Sequence, residues 1–253
     1  MTALPLPAPD YLPQLRRLTG EFAEVLRIAD AGAPVPCCGD WRLRDLGVHL
    51  GNVHRWAAEV VRTGEVRRQA FEADPADGDL VSWYDESASV LLSVLDAAEP
   101  SDSCWHFGAT PKEKAFWFRR QVHETAVHLV DASRGAGLEP ALDPLVAADG
   151  VDEVMRALLP KIRRWYAPPE LTATLLLRAT DTGHAWLIAP AETVDDVPVA
   201  RLVDTADAAA TVEGSASALQ LLLWKRHTTA GSGVRISGDT RVAESFLSAP
   251  LTP

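Results

Sequence analysis

Apolar residues recur at helical spacing through the first half of the chain and in short, strand-like runs through the last third. This pattern predicts a helical unit followed by a mixed one. Leu12, Leu15, Leu18, Phe22, Val25 and Leu26 share one face of a first helix expected from Asp10, a favourable N-cap residue, to about Asp30. A second helix is expected from Trp41 to Thr63, stopped by Gly64. Phased from Leu43, its inward positions run through Leu46, His49 or Leu50, Val53, Trp56 and Val60. An acidic loop over 65–79 leads to a third helix over 80–98, before Pro100, and a fourth runs from after Thr110-Pro111 to about Arg134. Four long helices with moderate connections specify a bundle. A further helix is expected over about 149–165, beginning beside Asp149-Gly150. From Leu171 the segments TATLLLRAT and AWLIA, joined by DTGH, read as a β-hairpin, and AAATVEG reads as a strand entering a helix at Ser215. GVRIS reads as a strand whose following Gly238-Asp239 caps a last helix. The expected fold class is therefore α plus α+β: a four-helix bundle over 1–148, then a small α+β domain over 149–253 with a helical linker at about 149–168.

Three polar side chains interrupt the apolar pattern where a core is expected. His49 falls within the inward stripe of the second helix, and Glu124 and His128 lie four apart, one turn above each other on the fourth. Burying a carboxylate and two imidazoles is costly unless something compensates them, and one divalent cation compensates all three. The trio reads as a His…Glu-x-x-x-His metal site. Imidazole and carboxylate suit zinc, while nickel, iron and manganese accept the same ligands. Three protein ligands leave coordination positions open, as in a catalytic site. Asp45 and Arg120, each four residues before a ligand, and Asp131, three beyond His128, are either partners that orient the ligands or surface and capping residues. His54 and His123 should point away from the ligand face, and Trp56, Trp105 and Trp117 read as core or pocket wall. Cys104 has no activating base in sequence reach, which argues against a catalytic thiol.

Composition removes other classes. A net charge of −11 over 253 residues, with no basic stripe on any expected helix, argues against a nucleic-acid partner. No apolar run is long enough to cross a bilayer and the start MTALPLPAPDY lacks the build of a signal peptide, so no membrane association and a cytoplasmic location are expected. Three cysteines, with Cys37 and Cys38 adjacent, form neither a disulfide framework nor a thiolate metal site. Oligomeric state is not readable from the pattern.

The segments CGDWRLRDLGVHLGNVHRWA, FWFRRQVHETAVHLVDA and DPLVAADGVDEVMRALLP resemble the N-terminal domain of the mycothiol-dependent maleylpyruvate isomerase family, a DinB-like metal-binding bundle. VEGSASALQLLLWKR…VRISGDTRVAESFL is similar to that family's sterol-carrier-like C-terminal domain. The resemblance implies a divalent zinc on the His of DLxxHL, His49, and on the Glu and second His of HExxxH, Glu124 and His128. Arg42 departs from the Thr or Ser common at that helix start, which weakens a cap. The resemblance also implies an activity-bearing Arg in the C-terminal domain, matched here to Arg226 with Arg235 and Arg241 as alternatives. A guanidinium there suits a substrate carboxylate.

By that resemblance the chain is a mycothiol-using isomerase or S-transferase, in which a metal-bound thiolate attacks a small electrophilic substrate. Two other readings stand beside it: a thiol-independent hydrolase or lyase using metal-activated water, and a non-enzymatic small-molecule binding protein.

Overall fold

A computed structural model describes residues 3–66, 75–76, 79–139, 141–193, 196–230 and 232–253. Most of the acidic loop expected over 65–79 lies outside the described residues. The chain divides into two compact units, one comprising Leu6–His106 with Pro111–Ala141 and the other Leu142–Pro253 with the short segments 3–5 and Phe107–Thr110.

The first unit is a bundle of four helices, α1 (Tyr11–Ile28), α2 (Leu43–Thr63), α3 (Leu80–Asp96) and α4 (Ala115–Gly135). Helix α1 packs on α3 and α4, and α2 packs on α3 and α4, which closes a four-sided core. Leu15, Leu18 and Phe22 of α1, Leu43, Leu46 and Leu50 of α2, Tyr84 and Leu91 of α3 and Trp117 and Val122 of α4 are fully buried there. The apolar spacing along each helix is the reason: residues three and four apart stack on one face and leave water together.

Local chemistry shifts several boundaries. Asp10 does not cap α1 with its side chain, because a 3₁₀ turn over Ala8–Asp10 runs straight into the helix. Helix α2 starts at Leu43 rather than Trp41, with Arg42 at the N-cap, and the Asp45 carboxylate accepts the Arg42 backbone N–H at 2.8 Å. Gly64 closes it in the left-handed conformation that glycine adopts without strain. Helix α4 starts at Ala115, later than the Pro111 signal suggests. The four residues before it are held by the 102–104 loop: Cys104 N–H donates to Lys112 O, Lys114 N–H donates to Asp102 O, and Ser103 pairs with Glu113.

His54 is fully buried inside the bundle and stays outside the His49–Glu124–His128 cluster. Its Nδ1 lies 2.8 Å from Gln121 Oε1 and its Nε2 3.3 Å from the Tyr84 hydroxyl, tying α2 to α4 and α3. Burial pulls its pKa down from 6.5 to about 4, outweighing the raising effect of the Gln121 bond. The unfolded chain therefore binds a proton between pH 6.5 and 4 that the folded chain refuses. Stability from this residue is fully present above pH 6.5 and is lost as pH falls toward 4, by about 3 kcal/mol at the limit. Urea unfolding of the protein and of His54→Gln from pH 7 to 4 checks this. A pH slope as steep in the variant as in the parent sinks it.

The second unit begins with α5 (Pro144–Asp152), which continues as a π-helical stretch (Glu153–Leu158) and a 3₁₀ stretch (Leu159–Arg164). The helix opens earlier than Asp149-Gly150. Asp143 accepts the N–H groups of Leu145 and Val146, and Pro144 occupies the first turn. A five-stranded sheet follows in the order β3-β2-β1-β4-β5, with β1 (Leu175–Ala179), β2 (Ala185–Ala189), β3 (Val199–Val203), β4 (Ala210–Gly214) and β5 (Arg235–Gly238). The β1–β2 hairpin is antiparallel, β1 and β4 are parallel, and β5 returns antiparallel to β4. Strand β3, which the sequence pattern did not single out, is a half-exposed edge strand with little apolar contrast between its faces. Helix α6 (Ala216–Leu223), N-capped by Ser215, packs on α5, and α7 (Thr240–Ser248), N-capped by Asp239, packs on β4 and β5. The observed architecture is the expected one: four helices, then a small mixed-sheet domain. Among the described residues no helix is long and apolar enough to cross a membrane.

Candidate metal centre

The antiparallel packing of α2 against α4 brings the three polar interruptions together. Glu124 Oε1 lies 3.3 Å from His128 Nε2 and 3.7 Å from His49 Nε2, and one ligand atom from each residue falls within 4.8 Å of the others. Among the described residues this is the one group of three or more His, Cys, Asp or Glu side chains close enough to share an ion. The rings of His49 and His128 meet edge to face, with centroids 5.1 Å apart. Burial is graded across the group, from His128 (side chain 9% exposed) through Glu124 (15%) to His49 (32%), so the cluster is open on the His49 side.

Each ligand on α4 has a buried partner. Arg120, one turn before Glu124, donates from Nη2 to Oε2, the carboxylate oxygen turned away from the imidazoles. Burial pushes the Glu124 carboxyl up, but the Arg120 charge and the bonds from His128 and His49 prevail and hold it well below the usual carboxylate range. Asp131 Oδ2 lies 3.1 Å from His128 Nδ1 and 3.6 Å from the Cys38 thiol, which donates to it. For His128, burial pulls the pKa down, yet hydrogen bonds to Asp131 and Glu124 raise it to about 9. A carboxylate on Nδ1 leaves Nε2 as the ring nitrogen aimed at the cluster, the arrangement that orients a metal-binding histidine.

The donor set suits a divalent cation. Two imidazole nitrogens and one carboxylate oxygen converge from two rigid helices, Arg120 and Asp131 hold their orientation, and the open side leaves room for exogenous ligands. Asp45 plays no part in this, since its carboxylate serves the start of α2. His123 is buried edge-on to Tyr11, and Trp56, Trp105 and Trp117 form a packed aromatic cluster two turns along α2 and α4 from the ligands. Trp41, whose ring centroid lies 4.9 Å from that of His49, was not singled out from the sequence. It sits in the loop before α2, where helical periodicity carries no information about contacts.

Arg226 lies just beyond α6 in the second unit, where Nη1 donates to the Trp224 carbonyl at 2.9 Å and the guanidinium stands 6.0 Å from the Trp224 ring centroid. Arg235 is paired with Glu213 and Arg241 with Asp239. Cys104 is buried, with Sγ 3.5 Å from the carbonyl oxygens of Val60 and Trp105, and burial pushes its thiol pKa up. It is an inert core thiol. Iodoacetamide at neutral pH should therefore modify the half-buried Cys37 and Cys38 while sparing Cys104 until the protein is denatured, as read by peptide mass spectrometry. Early labelling of Cys104 would contradict this.

Fold and cluster together define a class: a helical bundle that carries a His–Glu–His cluster, followed along the chain by a small mixed-sheet domain. Residues 12–133 match the mycothiol maleylpyruvate isomerase N-terminal domain and residues 146–245 match the C-terminal domain of the same family. The chain belongs to the mycothiol-dependent maleylpyruvate isomerase family. Among solved structures, that of the mycothiol-dependent maleylpyruvate isomerase is 15% identical, with a TM-score of 0.64 over 94% of this chain and 96% of that one. A histidine-to-alanine mutant of the isomerase gives 13% identity and a TM-score of 0.63 over the same shares. At such identity the likeness shows a common fold. No curated protein sequence matches the chain.

Proposed function

We propose that the protein is a metal-dependent enzyme that uses mycothiol as its thiol cosubstrate and delivers it to a small electrophile, as a cis–trans isomerase or an S-transferase. The observation that carries the reading is the convergence of His49 Nε2, Glu124 Oε1 and His128 Nε2 on one open-sided point of a bundle of this family. These three residues would hold the cation, with zinc as the first candidate. When bound, such an ion lowers the pKa of a thiol from its free value of roughly 8.5 and positions the sulfur. The chain's own groups do the rest. Arg120 and Asp131 keep the ligand side chains in place, and the exposed flank of His49 leaves a path for the thiol. Arg226, the arginine after α6 that the family resemblance singles out, is the guanidinium we assign to a substrate carboxylate, with Arg235 and Arg241 as alternatives.

The test is a calorimetric titration of mycothiol into zinc-loaded and metal-free protein, with elemental analysis of both samples. One metal per chain and thiol binding confined to the loaded form is the expected result. Equal binding to both forms, or turnover of an activated ester without any thiol, would instead favour the hydrolytic reading.

A further inference from the structure

We propose that Trp41 is a specificity-determining residue of the candidate metal centre, whose exposed ring stacks on the sugar–cyclitol part of a bound mycothiol. The inference rests on His49, Glu124 and His128 being metal ligands and mycothiol the cosubstrate, and it concerns what holds the rest of that molecule. The His49 ring adjoins that of His128, with centroids 5.1 Å apart, and that of Trp41, 4.9 Å away and inclined at 53°. Trp41 thus stands beside the least buried of the three ligands. It is itself 36% exposed, whereas Trp117 is fully buried in the same bundle. Indole surface left in water forgoes the free energy of burial, so core packing does not account for the placement. The backbone also pins it: Val35 N–H donates to the Trp41 carbonyl at 2.9 Å, Trp41 N–H donates to the Cys38 carbonyl at 3.3 Å, and Pro34 pairs with Arg42. A broad, stiff aromatic surface of this kind loses little conformational freedom when a ligand covers it.

The charge distribution of an indole decides between the two molecules that such a site would bring together. Its face carries negative partial charge, so it disfavours a carboxylate and attracts the weakly positive C–H groups of a saturated ring. Mycothiol bears its thiol on a glucosamine–inositol unit, and both rings present C–H faces rimmed by hydroxyls. A small carboxylate-bearing electrophile offers no such face. Trp41 therefore serves the thiol cosubstrate, and it favours mycothiol over thiols that lack a sugar.

The experiment titrates mycothiol and, separately, 2-mercaptoethanol into the zinc-loaded parent, Trp41→Phe and Trp41→Ala proteins, with elemental analysis of each. Trp41→Ala should hold as much zinc as the parent, bind mycothiol about tenfold more weakly and bind 2-mercaptoethanol as before. Trp41→Phe keeps a smaller aromatic face and should recover most of the loss. Unchanged mycothiol binding in Trp41→Ala overturns the inference and leaves the thiol reading intact. An equal loss for both thiols, or a loss of zinc, also overturns it, since Trp41 would then act only by supporting His49. If neither thiol binds the loaded parent, the thiol reading fails and this inference with it. Should Trp41→Ala not fold, Trp41→Leu, apolar but without a ring, takes its place with the same expected outcome.

Discussion

Replacing His49 or His128 with Ala, or Glu124 with Gln, should strip the protein of its metal while leaving its helices formed. The alanine variants each delete one of three converging donors, and Gln replaces the carboxylate with a neutral, weaker amide oxygen, so each leaves a poor site for a divalent ion. The loss should exceed the roughly 10- to 100-fold fall in affinity that follows removal of an outer partner of a metal ligand. Helicity should persist because the bundle is held by its apolar faces, and the His49 side chain is a third exposed. His128→Ala carries an added cost, since Asp131 is buried and loses the imidazole it faces. Elemental analysis after dialysis, paired with far-UV circular dichroism, reads both effects. Metal content equal to the parent's in any of the three variants would refute the assignment.

The second large effect should come from Asp152→Ala in the mixed-sheet unit, a residue given no role in the proposed chemistry. Asp152 is fully buried at the end of α5. Its Oδ1 accepts from Arg156 Nε at 2.6 Å and from Trp186 Nε1 at 3.0 Å, and its Oδ2 accepts from Arg156 Nη2 at 2.9 Å. Arg156 also donates to the Leu4 carbonyl at 2.8 Å, so one carboxylate joins α5, strand β2 and the residues near the chain start. Truncation leaves the buried Trp186 N–H without its acceptor and the Arg156 charge without its partner. Breaking a buried pair in this way costs about 3–5 kcal/mol, and the lower end applies because Arg156 keeps a third of its side chain exposed. Asp152→Asn retains an acceptor for Trp186 and should lose less. Urea unfolding measures both, and a loss below about 1 kcal/mol for the alanine variant would mean the network contributes little.

Much of the architecture was readable because its signals are local. Helical spacing of Leu15, Leu18 and Phe22, the stop at Gly64 and the caps at Ser215 and Asp239 all act within a turn or two of chain. The elements that depart from their expected bounds do so through a longer-range contact or a second local signal. The start of α4 is delayed by pairing with a loop ten residues earlier. Helix α5 opens at Asp143-Pro144, a local cap signal six residues ahead of the expected start at Asp149-Gly150. Strand β3 has no apolar alternation to announce it and depends on pairing with β2.

The candidate site divides along the same line. Helix phase, a property of a few consecutive residues, is enough to set His49 within an inward stripe and to stack Glu124 over His128 on one face, so the candidate trio is legible without a structure. Packing settles the rest: α2 runs antiparallel to α4 in the register that sets His49 against that pair, Arg120 and Asp131 are the partners while Asp45 serves the start of α2, and the Trp41 ring packs beside that of His49. The reason is physical. Periodicity specifies the face of a helix, but which helix meets that face, and at what height, depends on how the apolar stripes of all four interlock.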